Sequence, residues 1–411
     1  MTWVVRRLGI FISIVFISLV SLVSQLESNG QTIVAFVYSE ADGRYFILTD
    51  TTRNITHRIQ QPVETLRGVV FSPDGRRALI PYGETSQLLR LAIYDLPTQT
   101  VFTNPSSYDT CAPSYDGVLW SPDSSRVVFD CRATAANPQS SGLHMMDFES
   151  RQTMQINDSP LTDLTLWSPD AQALMLNGTQ VLSFPDMQRR NLPSGVWLAH
   201  WMPDSSRLIL VIEDDILFDD GEIISEDLSV SPRFFEVSPD GRYLAFVAEQ
   251  RGLFRLYVVD LITMQRIPID GGDLKINGVQ GGVWSPDSTW IAITTSNDSG
   301  SRNLYVVKPD DSQAILVSAD GTLPAWSGHQ LAYLQLNSAT ITGDQLMVVE
   351  IPSLTVQLTS DDALDGIWSS EGIVYVQRLF AAAATSRLSI NNRALLESSI
   401  INFAIWEQHH D

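Results

Sequence analysis

The chain has 411 residues, of which 44% are hydrophobic and 18% charged, a composition too apolar and too aromatic for a disordered chain. Forty-seven acids against 26 bases leave a net charge of −21, and only Lys275 and Lys308 are lysines, so a nucleic-acid phosphate backbone is excluded as a natural partner.

In chain order, the first feature is an export signal. Arg6 and Arg7 precede an uncharged, largely apolar run from Leu8 to Leu26, which Glu27 to Gly30 end. As a helix this run spans about 28 Å, close to the ~30 Å of a bilayer core. It reads as a hydrophobic helix that is either a cleaved signal peptide or a signal anchor, within residues 1–28. The chain beyond it is expected to be extracytoplasmic, in the periplasm or at the cell surface. Residues 8–26 would be its only tie to the membrane.

From residue 33 onward the chain is a repeat. An aromatic or apolar residue is followed by Ser-Pro-Asp and then Gly, Ser or Ala. The copies are Phe71 to Gly75, Trp120 to Ser124, Trp167 to Ala171, Trp201-Met202-Pro203-Asp204-Ser205, Val237 to Gly241 and Trp284 to Ser288. The acids of this turn are Asp74, Asp123, Asp170, Asp204, Asp240 and Asp287. Degenerate copies follow at Trp326-Ser327-Gly328 and Trp368 to Gly372, with a truncated one at Trp406-Glu407. Seven of the ten tryptophans occupy the slot before the turn, which points to one packing position used repeatedly and not to ligand binding.

Successive slots lie 49, 47, 34, 36, 47, 42, 42 and 38 residues apart, a mean of about 42 that fits a four-stranded propeller blade. The unit at Trp284 predicts strands over 278–284, 290–295, 304–307 and 314–317, with Ser285 to Ser288 as the first turn. The third strand closes on an acid in other units as well: Asp50, Asp95, Asp260 and Glu350. The N-terminal unit, Ile33 to Gln60, has strands two to four without a preceding turn motif, and Ile400 to Trp406 has only strand one. Joined, they complete one blade and close the ring without an exposed edge. The fold class is therefore all-β, a multi-bladed propeller of four-stranded antiparallel blades. The repeat count is nine, with eight as the alternative because the intervals at 167–201 and 201–237 are short.

The W-S-P-D-G turns resemble the WD-like repeats of TolB-type β-propellers over residues ~33–411, with six good copies. The resemblance implies one propeller domain, residues 29–411. It leaves function open, since such repeats build binding scaffolds as well as the non-catalytic propellers of peptidases. Neither the small domain that TolB places before its propeller nor a hydrolase domain is found.

Strand direction sorts the loops onto two faces. The Ser-Pro-Asp turns and the third-to-fourth turns share one; the second-to-third loops and the blade connections share the other. The second face has the longer loops, Cys131 to Gly142, Leu336 to Asp344 and Gln377 to Arg387, and is where binding is expected. Cys111 and Cys131 also fall on this face and, in an exported chain, are expected to form a disulfide. The acid run from Glu213 to Asp227 reads as a solvated loop without EF-hand spacing. No nucleophile elbow, zinc-helix or phosphate-loop motif occurs. The expectation is a monomeric, non-enzymatic scaffold without cofactor or metal, binding a protein or cell-envelope component. The alternatives are a glycan or lactone hydrolase and an accessory to a separate peptidase.

Overall fold

The computed structural model describes residues 32–407 except 41–42, 51–54, 61–69, 86–87, 96–97, 99, 104–117, 132–140, 151, 227–228, 251–252, 270–278, 297–301, 311–313, 336–343, 370–371, 379–385, 391–392 and 399. The apolar run 8–26 and Cys111 lie outside them. Every regular element described is a strand. Among the described residues no helix is long and apolar enough to cross a membrane.

The strands form seven four-stranded antiparallel sheets and one of seven strands. Blade 1 joins the two chain ends. Ile400–Glu407 is its first strand and pairs antiparallel with Thr32–Glu40, setting Ile33 opposite Trp406; Gly43–Asp50 and Ile55–Gln60 complete it. Blades 2 to 7 follow in order, each with its strands hydrogen-bonded in chain sequence, as expected when tight turns join neighbouring antiparallel strands. The unit at Trp284 (blade 7) has strands Val279–Trp284, Ile291–Ser296, Arg302–Val307 and Ala314–Ser318, within two residues of the sequence reading at each boundary.

The short intervals hold complete blades of short strands. Blade 4 is made of Leu166–Trp167, Ala173–Leu176, Gln180–Ser183 and Gln188–Asn191. Blade 5 is made of Val196–Trp201, Leu208–Ile212, Asp215–Phe218 and Ile223–Ser225. The seven-stranded sheet departs from the expected pattern. Its Thr355–Ser369, 15 residues, pairs with Asp344–Glu350 as the outer strand of blade 8 and runs on past Trp368 to neighbour Gly372–Arg378 in blade 9. No proline interrupts residues 355–369, so the backbone stays extended where other blades have a connecting loop. Counting this strand in both blades gives nine, the number of slots in the sequence.

The chain divides into two compact units. One gathers the described residues of Val23–Arg190, Ser369–Glu371 and Glu397–Asp411, with blades 1 to 4; the other gathers Asn191–Trp368 and Gly372–Leu396. Each has its own core, built in layers between successive blades. In the first unit, Trp120 packs with Leu79, Ile93, Val127 and Phe129, bridging blades 2 and 3. In the second, Trp284 packs with Tyr243, Val247, Val258 and Ile291, bridging blades 6 and 7. The slot residues Phe71, Trp120, Trp167, Trp201, Val237, Trp284 and Trp326 are all 5–7% exposed. For Trp368 and Trp406 the structure describes the backbone strand alone.

Trp284→Ala is expected to cost about 3–5 kcal/mol, the range for a buried aromatic truncation. The same change at exposed Trp197 should cost under about 1 kcal/mol. Urea titration of both variants against the parent checks the contrast.

Candidate functional site

The repeated turn forms first because of its local chemistry. Pro supplies the fixed φ, and the residue after Asp sits in the left-handed region: Gly75 (φ 62°), Ser124 (61°), Ala171 (58°), Ser205 (62°), Gly241 (74°) and Ser288 (60°). In blade 7 the Ser285 hydroxyl donates to Asp287 at 2.6 Å, and the Trp290 N–H donates back to Ser285 Oγ at 2.9 Å. Asp287 also accepts from the Thr289 N–H at 3.1 Å. Ser72/Asp74, Ser121/Asp123, Ser168/Asp170 and Ser238/Asp240 repeat the 2.6 Å bond. Asp204, preceded by Met202, takes the hydroxyl of Ser206 at 2.6 Å instead. All six acids therefore accept hydrogen bonds within their own turns, and Asp287 Oδ2 also lies 3.7 Å from His329 Nδ1 of the next blade. The degenerate Trp326 copy closes more tightly, as a two-residue turn with Ser327 opposite Gln330.

The motif also ties blade to blade. The Asp74 N–H donates to Ser124 Oγ at 2.9 Å, and the Asp240 N–H to Ser288 Oγ at 3.0 Å. A serine in the left-handed position thus accepts from the turn before it. The slot indoles act in the same direction. Trp167 Nε1 donates to Leu119 O at 3.4 Å, Trp284 Nε1 to Glu236 O at 3.4 Å and Trp326 Nε1 to Val283 O at 3.1 Å. In each case the acceptor is the residue before the slot of the preceding blade. Among the described residues, buried Trp120 Nε1 has no hydrogen-bond partner.

Sequence reasoning missed a third tie. Arg77 pairs with Asp95 of its own blade at 4.0 Å, lies 4.5 Å over the Phe148 ring of the next blade and donates to Ser124 O at 3.2 Å. Arg126 repeats this with Asp147 at 3.3 Å and the Phe184 ring at 4.6 Å. The signal was present as an arginine five residues after the turn serine, together with an acid closing strand three.

The other expected sites are dispersed. The run from Glu213 to Asp227 is not one loop. Glu213-Asp214 turns into the strand Asp215–Phe218, and Asp219 and Asp220 turn out of it at the far end, where Arg207 bridges Asp220 (3.4 Å) and Glu222 (2.6 Å). Cys131 ends its strand opposite Gly142, buried at 1%, and is not a free thiol. Among the described residues no three His, Cys, Asp or Glu side chains gather as metal ligands.

One row of residues stands out from the repeat. First strands of successive blades lie side by side in the second unit, from blade 5 to blade 8, and so form its inner edge. The residue before each slot is half-buried in every blade where its side chain is described: Val70, Leu119 and Leu166 in the first unit, His200, Glu236, Val283 and Ala325 in the second. Five are aliphatic, and Leu119 and Val283 pack against the next blade's core. His200 and Glu236 take the same register position in adjacent blades 5 and 6. Burial lowers the His200 pKa, opposed by its Nδ1 contact to Trp201 O at 2.6 Å. Burial alone pushes the Glu236 carboxyl up to about 8. Among the described residues no side chain pairs with it.

No family model and no curated protein matches the sequence. Solved structures do. A eukaryotic initiation factor is 11% identical over 93% of this chain and 99% of its own, with a TM-score of 0.66. TolB from Acinetobacter baumannii is 14% identical over 80% of this chain and 64% of its own, with a TM-score of 0.33. The β-propeller domain of the Trilobed protease from Pyrococcus furiosus is 15% identical over 82% and 95%, with a TM-score of 0.43. At these identities the likeness is one of fold: this chain is a multi-bladed β-propeller.

Ser288→Ala should cost about 1–2 kcal/mol, because it removes the acceptor for Asp240 and leaves a side chain at positive φ. Ala171→Gly should stabilise by about 0.5–1 kcal/mol, since no bond is lost and the strain is relieved. Chemical denaturation of the two variants gives both signs. A further expectation concerns pH. Folded Glu236 holds its proton to about pH 8, whereas an ordinary glutamate loses it near 4.5. Its stabilising contribution is full below pH 4.5 and lost as pH rises through 8. Glu236→Gln should therefore gain on the parent between pH 5 and pH 8, by roughly 1–3 kcal/mol at the upper end, in melts at the two pH values.

Proposed function

We propose that the protein is an extracytoplasmic, non-enzymatic binding scaffold that holds a protein or cell-envelope component on its long-loop face. The supporting observation is the fate of the repeated polar groups. The motif serines, aspartates and arginines are taken up within turns or between blades, which makes the turn face a rigid frame. On the opposite face the second-to-third loops differ from blade to blade, from the two-residue turn Glu213-Asp214 to the segments 132–141 and 336–343. Variable loops on a fixed frame are the usual carriers of recognition. The location is supported by Arg6, Arg7 and the apolar run 8–26, which read as an export signal and would leave residues 29–411, the propeller, outside the cytoplasmic membrane. In that compartment a Cys111–Cys131 disulfide would tie a blade connection to the end of Arg126–Cys131 on the same face.

The test is retention of envelope components on immobilised protein. Replacing 132–140 and 336–343 by short Gly/Ser turns should abolish capture of a specific component that Ala171→Gly and Ser288→Ala leave intact. Capture that survives trimming of both loops overturns the assignment of the face. Mass mapping without reductant should find Cys111 and Cys131 in one linked peptide pair; two free thiols would contradict the disulfide.

A further inference from the structure

We propose that the outer strand of blade 8 pairs with the same strand of a second copy of this chain, antiparallel about a twofold axis at Gln357, to form a homodimer. This departs from the monomer expected from sequence, and it does not depend on the assignment of the long-loop face.

The strand Thr355–Ser369 has one edge only partly used. Its first residues pair with Asp344–Glu350, setting Thr355 opposite Glu350, Val356 opposite Val349, Gln357 opposite Val348 and Leu358 opposite Met347. Its other neighbour is Gly372–Arg378, seven residues that follow directly after 370–371. A two-residue connection makes that pair antiparallel, so seven residues folding back reach only to about Ala363. Among the described residues no strand lies beside the outer edge of 355–358, and Pro352 to Leu358 are all exposed.

An open strand edge invites pairing, and charged residues or proline are the usual guards against it. The outer strands Ile55–Gln60, Gln188–Asn191, Gln265–Pro268 and Arg393–Ser398 each contain at least one arginine. Residues 353–360 contain neither a charge nor a proline. Val356 and Leu358, alternate residues on one face of the strand, are 45% and 47% exposed. Among the described side chains no other outer strand exposes two large apolar groups. They stand beside Val349 and Met347, which belong to the apolar layer between blades 7 and 8, so that layer runs out to an uncovered margin.

The residues of this edge select a copy of themselves. Thr355-Val356-Gln357-Leu358-Thr359 has the same pattern of polar and apolar residues in both directions. Paired antiparallel about Gln357, Val356 of each copy lies opposite Leu358 of the other, Gln357 opposite Gln357 and Thr355 opposite Thr359, each like with like. A shift by one residue sets Val356 against Gln357. An axis at Val356 sets Leu358 against Leu354, which sits in the preceding turn at a φ of 56° and has left the strand. Charge points to the same surface. Two chains of net charge −21 repel over most approaches, and the uncharged stretch 353–360 is a place where they can meet. In the register about Gln357 no acid faces an acid, since Asp361 of one copy falls opposite Ser353 of the other. Thr359 is an extra residue between the Leu358–Met347 and Ser360–Leu346 pairs and ends the regular stretch, so the contact is short and the dimer weak.

Sedimentation velocity of the parent, from about 1 to about 100 μM chain, should show monomer passing to dimer. The dimer should tighten with added salt, because screening weakens the repulsion between the acidic chains. Val356→Glu and Leu358→Glu should each weaken it by about tenfold or more, since each would bury a charge without a partner. Leu316→Glu, at an exposed apolar residue on the outer strand of blade 7, should leave it unchanged. Circular dichroism melts establish that the variants are folded. Gln357→Cys puts two thiols on the axis with Cα atoms about 4.5–5.5 Å apart, within disulfide reach, so mild oxidation should link the dimer. Thr355→Cys, which faces position 359 of the other copy, should not link. Amide exchange at 355–358 of the parent should slow as concentration rises, a readout that needs no variant. The proposal is overturned by a parent that stays monomeric throughout, by a dimer that Val356→Glu and Leu358→Glu leave intact, by absent linkage at position 357, or by protection of 355–358 that requires an added envelope protein.

Discussion

The bond from a turn serine to the aspartate two residues on is the constraint from which the rest of this structure is built. It fixes a sharp reversal after each first strand, and that reversal decides where the next N–H groups and the following arginine lie. With Ser285 bound to Asp287, the strand restarting at Ile291 is in register with Trp284. The slot indole then reaches the carbonyl of the preceding blade. Where the left-handed residue is serine, the same turn also accepts the N–H of the turn before it. A bond of about 1 kcal/mol in itself thus sets the spacing of much larger apolar layers.

Much of this fold was legible because the motif repeats. Slot, turn, strand order and the pairing of the chain ends all follow from a 42-residue period and from the missing halves at Ile33 and Ile400. What was not legible depends on single residues that break the repeat. The 15-residue strand Thr355–Ser369 has no turn signal to mark where one blade yields to the next. The acids from Glu213 onward look continuous in sequence, yet Ile216 and Phe218 are fully buried, so the segment between them is strand and the acids part to its two ends.

The candidate site illustrates the same limit from the other side. His200 and Glu236 carry no motif, and each is unremarkable among six histidines and many acids. Their significance lies in a position, one residue before the slot, that becomes visible only when blades are superposed by register. The repeat supplies its own comparison: Val70, Leu119, Leu166, Val283 and Ala325 show what that position ordinarily requires. The acid surplus divides accordingly. The motif acids serve turns, the strand-closing acids hold arginines, and Glu236 alone among those described stands half-buried with its carboxyl pushed up to about 8.

The central claim is that the repeated motif is structural and that recognition lies elsewhere on the molecule. A variant carrying Asp123→Asn, Asp170→Asn and Asp287→Asn tests it most directly, with thermal unfolding and capture of the envelope component measured on the same preparation. The account predicts a melting temperature lowered by several degrees, with capture unchanged while the protein is folded. An unchanged melting temperature with capture lost would contradict it, because the motif acids would then be meeting the ligand and not their own turns.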